Sequence, residues 1–483
     1  MKVLHKSTVG LGVTMLISAC SLTPPLPPAL QIQGIQLNPG PLYPEFDPTV
    51  RTYEAMSLSA VSNDRIYVKG IEGQKYWLNG KEQRTNTWVD FRVPEISSDS
   101  SISIALGDAD GTAGKYSIAT QPGDFPKYSV KASNPTPGNI FVNVWPDGSQ
   151  PPQSTYLLMM NHLGKPLYYL KSPDSLADFK GVKSSTGAQR YIYHWTDPTR
   201  LVPSGGEFRI LDDQFRLIKL VKLKAHKDRV DYPADLHDFL YIDDDHYITL
   251  AYYARKVLDY PGREGLETKV MSAVIQEVDG DRVVFDWESS NIPALYKFTS
   301  DSQFFKVNDE LYDDYAHINS VAIDPKDGNI IASFRHLDSV LKINRKSSEI
   351  MWRFGGKGDE FNLSPEQQIS HQHTANYGPD GHLVIFDNGN ASNRSRVVDV
   401  VLDETNKRVL DFRTYSHPNG GPSLFAGSAQ KINATTFFVG WGGHPGNPTG
   451  ADVSEIDTTN GQATFEMMFP TARYSYRAFK MAP

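Results

Sequence analysis

One kind of hairpin returns along the chain: a strand ends at Asp or Asn, a few turn residues follow, and a second strand runs on to an aromatic or other apolar residue. Leu211-Asp212-Asp213-Gln214-Phe215 leads to Leu217 and Ile218, and Val278-Asp279-Gly280-Asp281 leads to Val283 and Trp287. Ile343-Asn344 leads through Ser348 to Ile350 and Trp352, Leu402-Asp403 through Asn406 to Val409 and Phe412, and Ile456-Asp457 through Gly461 to Phe465. A looser copy is Met160-Asn161-His162-Leu163-Gly164, before Leu167 and Tyr169. Asp, Asn and Gly are the residues that tight turns demand, because they bond back to the local backbone or tolerate positive φ. Six such hairpins, each preceded by its own pair of hydrophobic strands, are what a six-bladed β-propeller requires, since a lone blade cannot bury its faces and must stack on its neighbours.

The rest of the chain is compatible with an all-β protein of more than one domain. Its 483 residues exceed what a single core holds, and 24 Tyr, 23 Phe, 37 Gly and 32 Pro mark strands and turns rather than helices. Short β-type runs at 65–69, 76–78, 87–91, 101–104 and 115–118 predict a small N-terminal β-sandwich over 31–121. The run from Gly40 through Phe46 to Pro48, followed by Tyr53, resembles the opening of cadherin-like bacterial sandwich domains, which implies a spacer or docking role. Pro122-Gly123, Pro126 and the Pro-rich stretch from Asn134 to Gly138 mark a linker over 122–137, leaving 138–483 for the propeller.

Lys2 and Lys6 precede an uncharged, mostly apolar run at 9–17, which ends in Ile17-Ser18-Ala19-Cys20. This pattern resembles the lipobox of bacterial lipoproteins. It makes 1–19 a signal peptide and Cys20 the lipidated first residue of an exported chain. Residues 20–30 then form a Pro-rich, extended tether. The expected location is the bacterial cell envelope, anchored by lipid; by resemblance to the usual sorting rule, Ser21 after the cysteine permits the outer membrane, facing the periplasm, and the choice between inner and outer membrane stays open. Cys20 is the only cysteine, so no internal disulfide is expected. A formal net charge of −8 without a dense Lys/Arg run argues against nucleic acid as the main partner.

Three of the 13 histidines occupy matching places. His237 precedes a short strand and the turn Asp243-Asp244-Asp245, His317 precedes a strand and the turn at Asp324 to Gly328, and His373 precedes the turn Pro379-Asp380-Gly381. After each turn a second strand follows, and Arg335 ends the middle one. If these are the innermost strands of consecutive blades, their starts point to one mouth of the central channel, and three imidazoles and a guanidinium meet there. His246, His336, His371, His382, His417 and His444 lack this register, although His371 and His444 could border the mouth. Spacing between the three histidines is irregular and exceeds the roughly 40–50 residues of compact propeller repeats. The surplus falls at 259–268 and 289–314, candidate loops over the mouth. Asp243 to Asp245 read as a solvated turn.

These segments resemble the bacterial arylsulfotransferases, or aryl-sulfate sulfotransferases, which do not use a nucleotide sulfate donor. The likeness is carried by Asp314 to Val321 with Ser333-Phe334-Arg335-His336, by Ile350 to Gly356, and by His371-Gln372-His373-Thr374-Ala375 with Phe386 to Gly389. Weaker matches are Leu236 to Phe239 and the closing Ser475-Tyr476-Arg477. The resemblance implies a six-bladed propeller with its site at the channel mouth, an aryl sulfate donor and a phenolic acceptor, and neither cofactor nor metal. It also implies that His373 becomes sulfated, while His237, His317, Asn319 and Arg335 hold the sulfuryl group and the phenolic oxygen. Asn388 and Thr374 are read as substrate-binding. The chemistry suits these residue types. A neutral imidazole has a lone pair that can attack sulfur, Arg335 and Asn319 can donate to sulfuryl oxygens, and His317 or His237 can move the phenolic proton. Two other readings stay open: a metal-dependent propeller hydrolase or lyase with the three histidines as ligands, and a non-catalytic ligand-binding propeller lipoprotein. Homodimerisation is left open.

Overall fold

The computed structural model describes residues 32–148, 154–199, 204–417, 421–443, 450–470 and 472–481. Cys20, the Pro-rich tether and His444 lie outside them. Six sheets, antiparallel apart from one parallel pairing in blade three, succeed one another as the blades of a propeller, and two further sheets form the N-terminal sandwich. All six hairpins read from the sequence are the outer hairpins of these blades.

The sandwich pairs Gly34–Asn38, Asp64–Lys69 and Trp88–Phe91 in one sheet. Its second sheet is built around Ser101–Leu106 and Gly114–Ala119. Strict alternation shows why these are strands: Ile66 and Val68 are buried while Arg65 and Tyr67 are only partly covered, and Tyr116 and Ile118 point inward between exposed or half-buried neighbours. The inward set is continuous with the first blade, since Ile66, Ile104 and Tyr116 share one apolar cluster with Ile140, Tyr156 and Tyr169. Ser57–Ser59 leaves the sandwich to pair with Pro166–Ser172, adding a fifth strand to the outer edge of blade one. Within the stretch expected to be a linker, Ser129–Ala132 does the same for blade six by pairing with Gln462–Met468. Both segments cover an edge that would otherwise offer unpaired backbone groups.

From the axis outward, blade two is Leu176–Lys183, Gln189–Thr196, Gly205–Leu211 and Leu217–Val221, and blade three begins with Phe239–Asp243 and the long hairpin His246–Val257 and Thr268–Asp279. Blade four runs Ile318–Ile323, Ile330–Phe334, Ser339–Ile343, Ile350–Phe354, and blade five Ala375–Tyr377, Leu383–Asp387, Arg396–Asp403, Arg408–Tyr415. Middle strands such as Thr155–Met160, Ile330–Phe334 and Leu383–Asp387 are buried at every position, because neighbouring blades cover both their faces. Outer strands such as Arg408–Tyr415 are buried at none. The innermost strand of blade one is not its own: Arg473–Met481, the last strand of the chain, pairs with Asn139–Pro146 and closes the ring.

A buried ion pair fastens this closure to blade six. Lys480 Nζ pairs with Glu455, whose carboxylate also accepts the backbone N–H and the hydroxyl of Thr136 at 2.7 Å each. Lys480 and Glu455 are both almost completely buried. Removing one partner of such a pair strands the other charge in a medium that cannot solvate it. Glu455→Ala is therefore expected to lower the free energy of unfolding by about 3–5 kcal/mol in urea titrations; a loss below about 1 kcal/mol, the range of exposed pairs, would contradict this.

Candidate active site

His237, His317 and His373 stand one or two residues before the innermost strands of blades three, four and five, and the ring brings them together. The His237 ring lies 5.0 Å from that of His317 and 6.0 Å from that of His373, centre to centre. They line a cavity of about 450 Å³ with Asn319, Arg335, Trp145, Leu236, Phe425 and Tyr476, within the range of small-molecule sites. Ser204, Gln303, Asn390, Leu424 and Ala426 complete the wall, so every blade or an adjoining loop contributes. One side is apolar and aromatic: Trp145 stacks on Tyr476 at 4.6 Å, and Tyr476 stands edge-on to His373 at 5.5 Å.

Each imidazole is fixed by a bond on its Nδ1. His237 Nδ1 lies 2.6 Å from Asp235 and His317 Nδ1 lies 2.5 Å from Asp314. His373 Nδ1 is 2.7 Å from the carbonyl of Gly427. A carbonyl only accepts, so His373 Nδ1 carries the hydrogen and Nε2 keeps its lone pair. Gly427 has φ +98°, and a Cβ there would meet the Phe386 ring at 2.2 Å, so only glycine presents this carbonyl in this place. His317 itself adopts φ +51°, an uncommon conformation for a bulky residue, held by Asp314 and by its own carbonyl, which accepts the Arg335 N–H at 2.7 Å.

Burial is the first cause of every shift here. It holds His373 well below the ordinary histidine range, with Arg477 and His237 adding repulsion, and His317 likewise, with His237 and Arg335 adding theirs. It pushes Asp314 up to about 7. Both imidazoles are therefore neutral at physiological pH, and the Asp314–His317 pair can take up or release a proton near neutrality. Arg335 is lowered by burial against the pull of Asp301, Asp314 and Asp338, but a guanidinium stays charged at neutral pH. Among the described residues Arg335 has no ion-pair partner, and its Nη1 is buried without a hydrogen bond. Such a cation, left unpaired in a cavity beside a Tyr476 hydroxyl that also lacks a partner, is prepared for an anion; Asn319, expected to donate to sulfuryl oxygens, instead turns its unpartnered Oδ1, an acceptor, to the site, because its Nδ2 is bonded elsewhere.

Asn319 lines the cavity while its Nδ2 donates to the carbonyl of Gln372 at 3.1 Å. Thr374 and Asn388, expected to bind substrate, do not line it. Thr374 Oγ1 accepts the N–H of Ala429, and Asn388 Nδ2 donates to Ser423 and Ala426, so both brace the wall from behind. Thr374 follows His373 in the extended approach to the strand Ala375–Tyr377, where successive side chains face opposite ways. His371 sits in an ion-paired bridge between Asp301 and Asp338 rather than in the cavity. The 289–314 insertion reaches the mouth through Gln303, whereas no residue of 259–268 lines the cavity. Asp244 and Asp245 are neutralised by Arg190 and Lys219.

Several residues escaped the sequence reading. Asp235 and Asp314 stand two and three positions before their histidines, a signal that was visible. His336, judged out of register, lies fully buried under His317 at 4.7 Å, its Nδ1 bonded to the Asp314 carbonyl and its Nε2 without a partner. Trp145 and Phe425 come from positions with no distinguishing pattern.

As for metals, two groups among the described residues bring three ligand atoms within 4.8 Å. Lys342 Nζ already fills the Asp324, Asp327 and Glu404 group at 2.6–2.8 Å. In the other, Asp314 already holds the Nδ1 atoms of His317 and His336. The three histidines facing the cavity are not such a group.

The chain belongs to the arylsulfotransferase (ASST) family, whose model matches residues 224–477, from the approach to blade three through the closing strand. Family membership supports arylsulfotransferase activity in general. No curated protein matches the chain. Among solved structures, a protein of unknown function from Bacteroides caccae is similar at 10% identity, covering 72% of this chain and 100% of its own, with a TM-score of 0.40. Citrobacter koseri AztD is similar at 14% identity, covering 70% of this chain and 83% of its own, with a TM-score of 0.31.

His336 gives a direct check on the electrostatics. Burial lowers its pKa to about 4, so between about 6.5 and 4 the unfolded chain takes a proton that the folded protein refuses, and stability falls with falling pH. In His336→Asn this contribution is absent. The loss of unfolding free energy between pH 7 and pH 5 is expected to be smaller by about 2 kcal/mol than in the unsubstituted protein; an identical loss would show that His336 is not held neutral.

Proposed function

We propose that the protein moves a sulfuryl group from an aryl sulfate ester to a phenolic acceptor in two displacements, through a sulfo-His373 intermediate. The observation that carries this reading is the unpartnered guanidinium of Arg335 in the same cavity as a neutral imidazole whose free lone pair is on Nε2. In the first displacement His373 Nε2 attacks sulfur, the N–S bond forms as the S–O(aryl) bond breaks, and the phenolate leaves with a proton from the Asp314–His317 pair. In the second, the incoming phenol returns its proton to that pair as its oxygen attacks sulfur and the S–N bond breaks. Sulfuryl transfer resembles phosphoryl transfer in spreading charge over peripheral oxygens, so positioning and charge stabilisation supply most of the catalysis. Arg335 faces those oxygens, Trp145, Tyr476 and Phe425 form a slot for the aryl rings, and His237, braced by Asp235, stands beside the reacting group.

Incubation with nitrophenyl sulfate alone is expected to leave one sulfo group, located at His373 by peptide mass analysis. His373→Asn should fold normally, carry no adduct and lose acceptor-dependent nitrophenol release by on the order of a thousandfold or more. Turnover near that of the unsubstituted protein would move the nucleophile elsewhere. Activity abolished by chelator and restored by zinc would favour the metal-dependent reading instead.

A further inference from the structure

Beneath the cavity floor lies a group of charges that the proposed reaction does not use. Arg477, almost completely buried, pairs with Asp178 at 3.1 Å and lies 3.5 Å from Asp238. Lys180 joins the same two carboxylates at 2.6 and 3.0 Å. Two cations and two carboxylates make the quartet neutral as a whole, and Asp238 is further bound by the N–H of Val321 at 3.0 Å. Such groups are costly to desolvate, and well-packed apolar residues of the same size would often serve stability as well. The place of this one is informative. It joins the closing strand to blades two, three and four, and its member nearest the nucleophile is a cation: Arg477 Nε lies 3.4 Å from His373 Nδ1. The Arg477 Nη2 donates to the carbonyl of Asn319 at 2.7 Å.

Because Nδ1 of His373 gives its hydrogen to Gly427, the Arg477 contact is not a hydrogen bond to that atom. It is a positive charge set against the edge of the ring. Attack by Nε2 on sulfur leaves hydrogen on Nδ1 and the sulfuryl group on Nε2, so the ring of the intermediate is cationic. The other titratable groups around His373 are His237, His317 and Tyr476, none of which carries a negative charge at neutral pH to offset this. We propose that Arg477 is a positioning residue that fixes His373 and Asn319 in one frame and, by repelling positive charge on the His373 ring, keeps the sulfated intermediate short-lived and ready to transfer. The intermediate itself rests on the function proposed above. A single guanidinium thereby sets both the geometry of attack and the readiness of the S–N bond to break.

The test compares Asp178→Asn with Arg477→Met/Asp178→Asn, which keeps Lys180 paired with Asp238 and the group neutral; thermal melts establish that each folds. Two readouts are followed: titration of the His373 ring by NMR on histidine-labelled protein, and decay of the sulfo adduct when phenol is added, by quenched intact-mass measurement. Asp178→Asn leaves the guanidinium less neutralised, so it should shorten the adduct's life and depress ring protonation further. Adding Arg477→Met should reverse both, raising the ring's titration by at least about one pH unit and lengthening the adduct's life about tenfold or more. If the double variant does not fold, the opposite-signed effect of Asp178→Asn alone decides. Unchanged titration and decay in the folded variants would overturn the proposal. Absence of any adduct in the unsubstituted protein would instead defeat the transfer reading, while the NMR titration would still decide whether Arg477 repels charge on His373.

Discussion

Closure of the ring by the last strand of the chain is the constraint on which the rest depends. Arg473–Met481 supplies the axis-facing strand of a blade whose next three strands run in order from Asn139 to Ser172, and until it docks, the first blade has no inner edge and the last has no neighbour. The same nine residues carry Tyr476 into the cavity and Arg477 beneath it, while Lys480 locks onto Glu455 in blade six. Fold and site are thus completed by one event, late in the sequence, and a chain that fails to close has neither a sealed core nor a complete pocket. The N-terminal segments reinforce this arrangement from outside, through Ser57–Ser59 on blade one and Ser129–Ala132 on blade six.

Charge is handled in two ways in this molecule. Away from the cavity, buried cations are met by carboxylates: Arg229 by Asp286 and Glu288, Lys342 by Asp324, Asp327 and Glu404, Lys431 by Asp380 and Asp399. Arg335 is the contrast. Three aspartates pull on it from a distance, yet Asp314 is bonded to His317, and Asp301 and Asp338 are held by His371. The histidines hold the acids that would otherwise neutralise the guanidinium, and in return their carboxylates orient them. An anion entering the cavity finds a dehydrated, charged donor that needs no rearrangement, which is where electrostatic catalysis gains most.

The sequence already displayed much of this. The six hairpins were readable because Asp, Asn and Gly turns followed by aromatic strands repeat once per blade, and His237, His317 and His373 were readable because each opens an innermost strand. What stayed hidden follows from the same geometry. Ser204 and Phe425 belong to loops, where no period fixes direction, and Trp145 lies near the end of the strand Asn139–Pro146, which carries no repeated motif. His336 is one residue past Arg335 and lacks the register of the three histidines, yet the tight turn at 335–337 tucks it under His317. Thr374 and Asn388 flank strand ends close in sequence to His373 and Asn390 but face the framework, where Thr374 is held by the N–H of Ala429 and Asn388 by Ser423 and Ala426. Arg477 stood out only within a weak family match, since nothing in a linear reading says that a closing strand passes under the nucleophile.

The central claim is that Arg335 waits unpaired for an anion beside neutral imidazoles. Calorimetric binding of an aryl sulfonate, which carries the same charge but has no ester bond to break, tests it without turnover. The account predicts binding that weakens by about 10–100-fold in Arg335→Met, the worth of hydrogen bonds from a charged donor, with the fold intact. Equal affinity in the two proteins would contradict it.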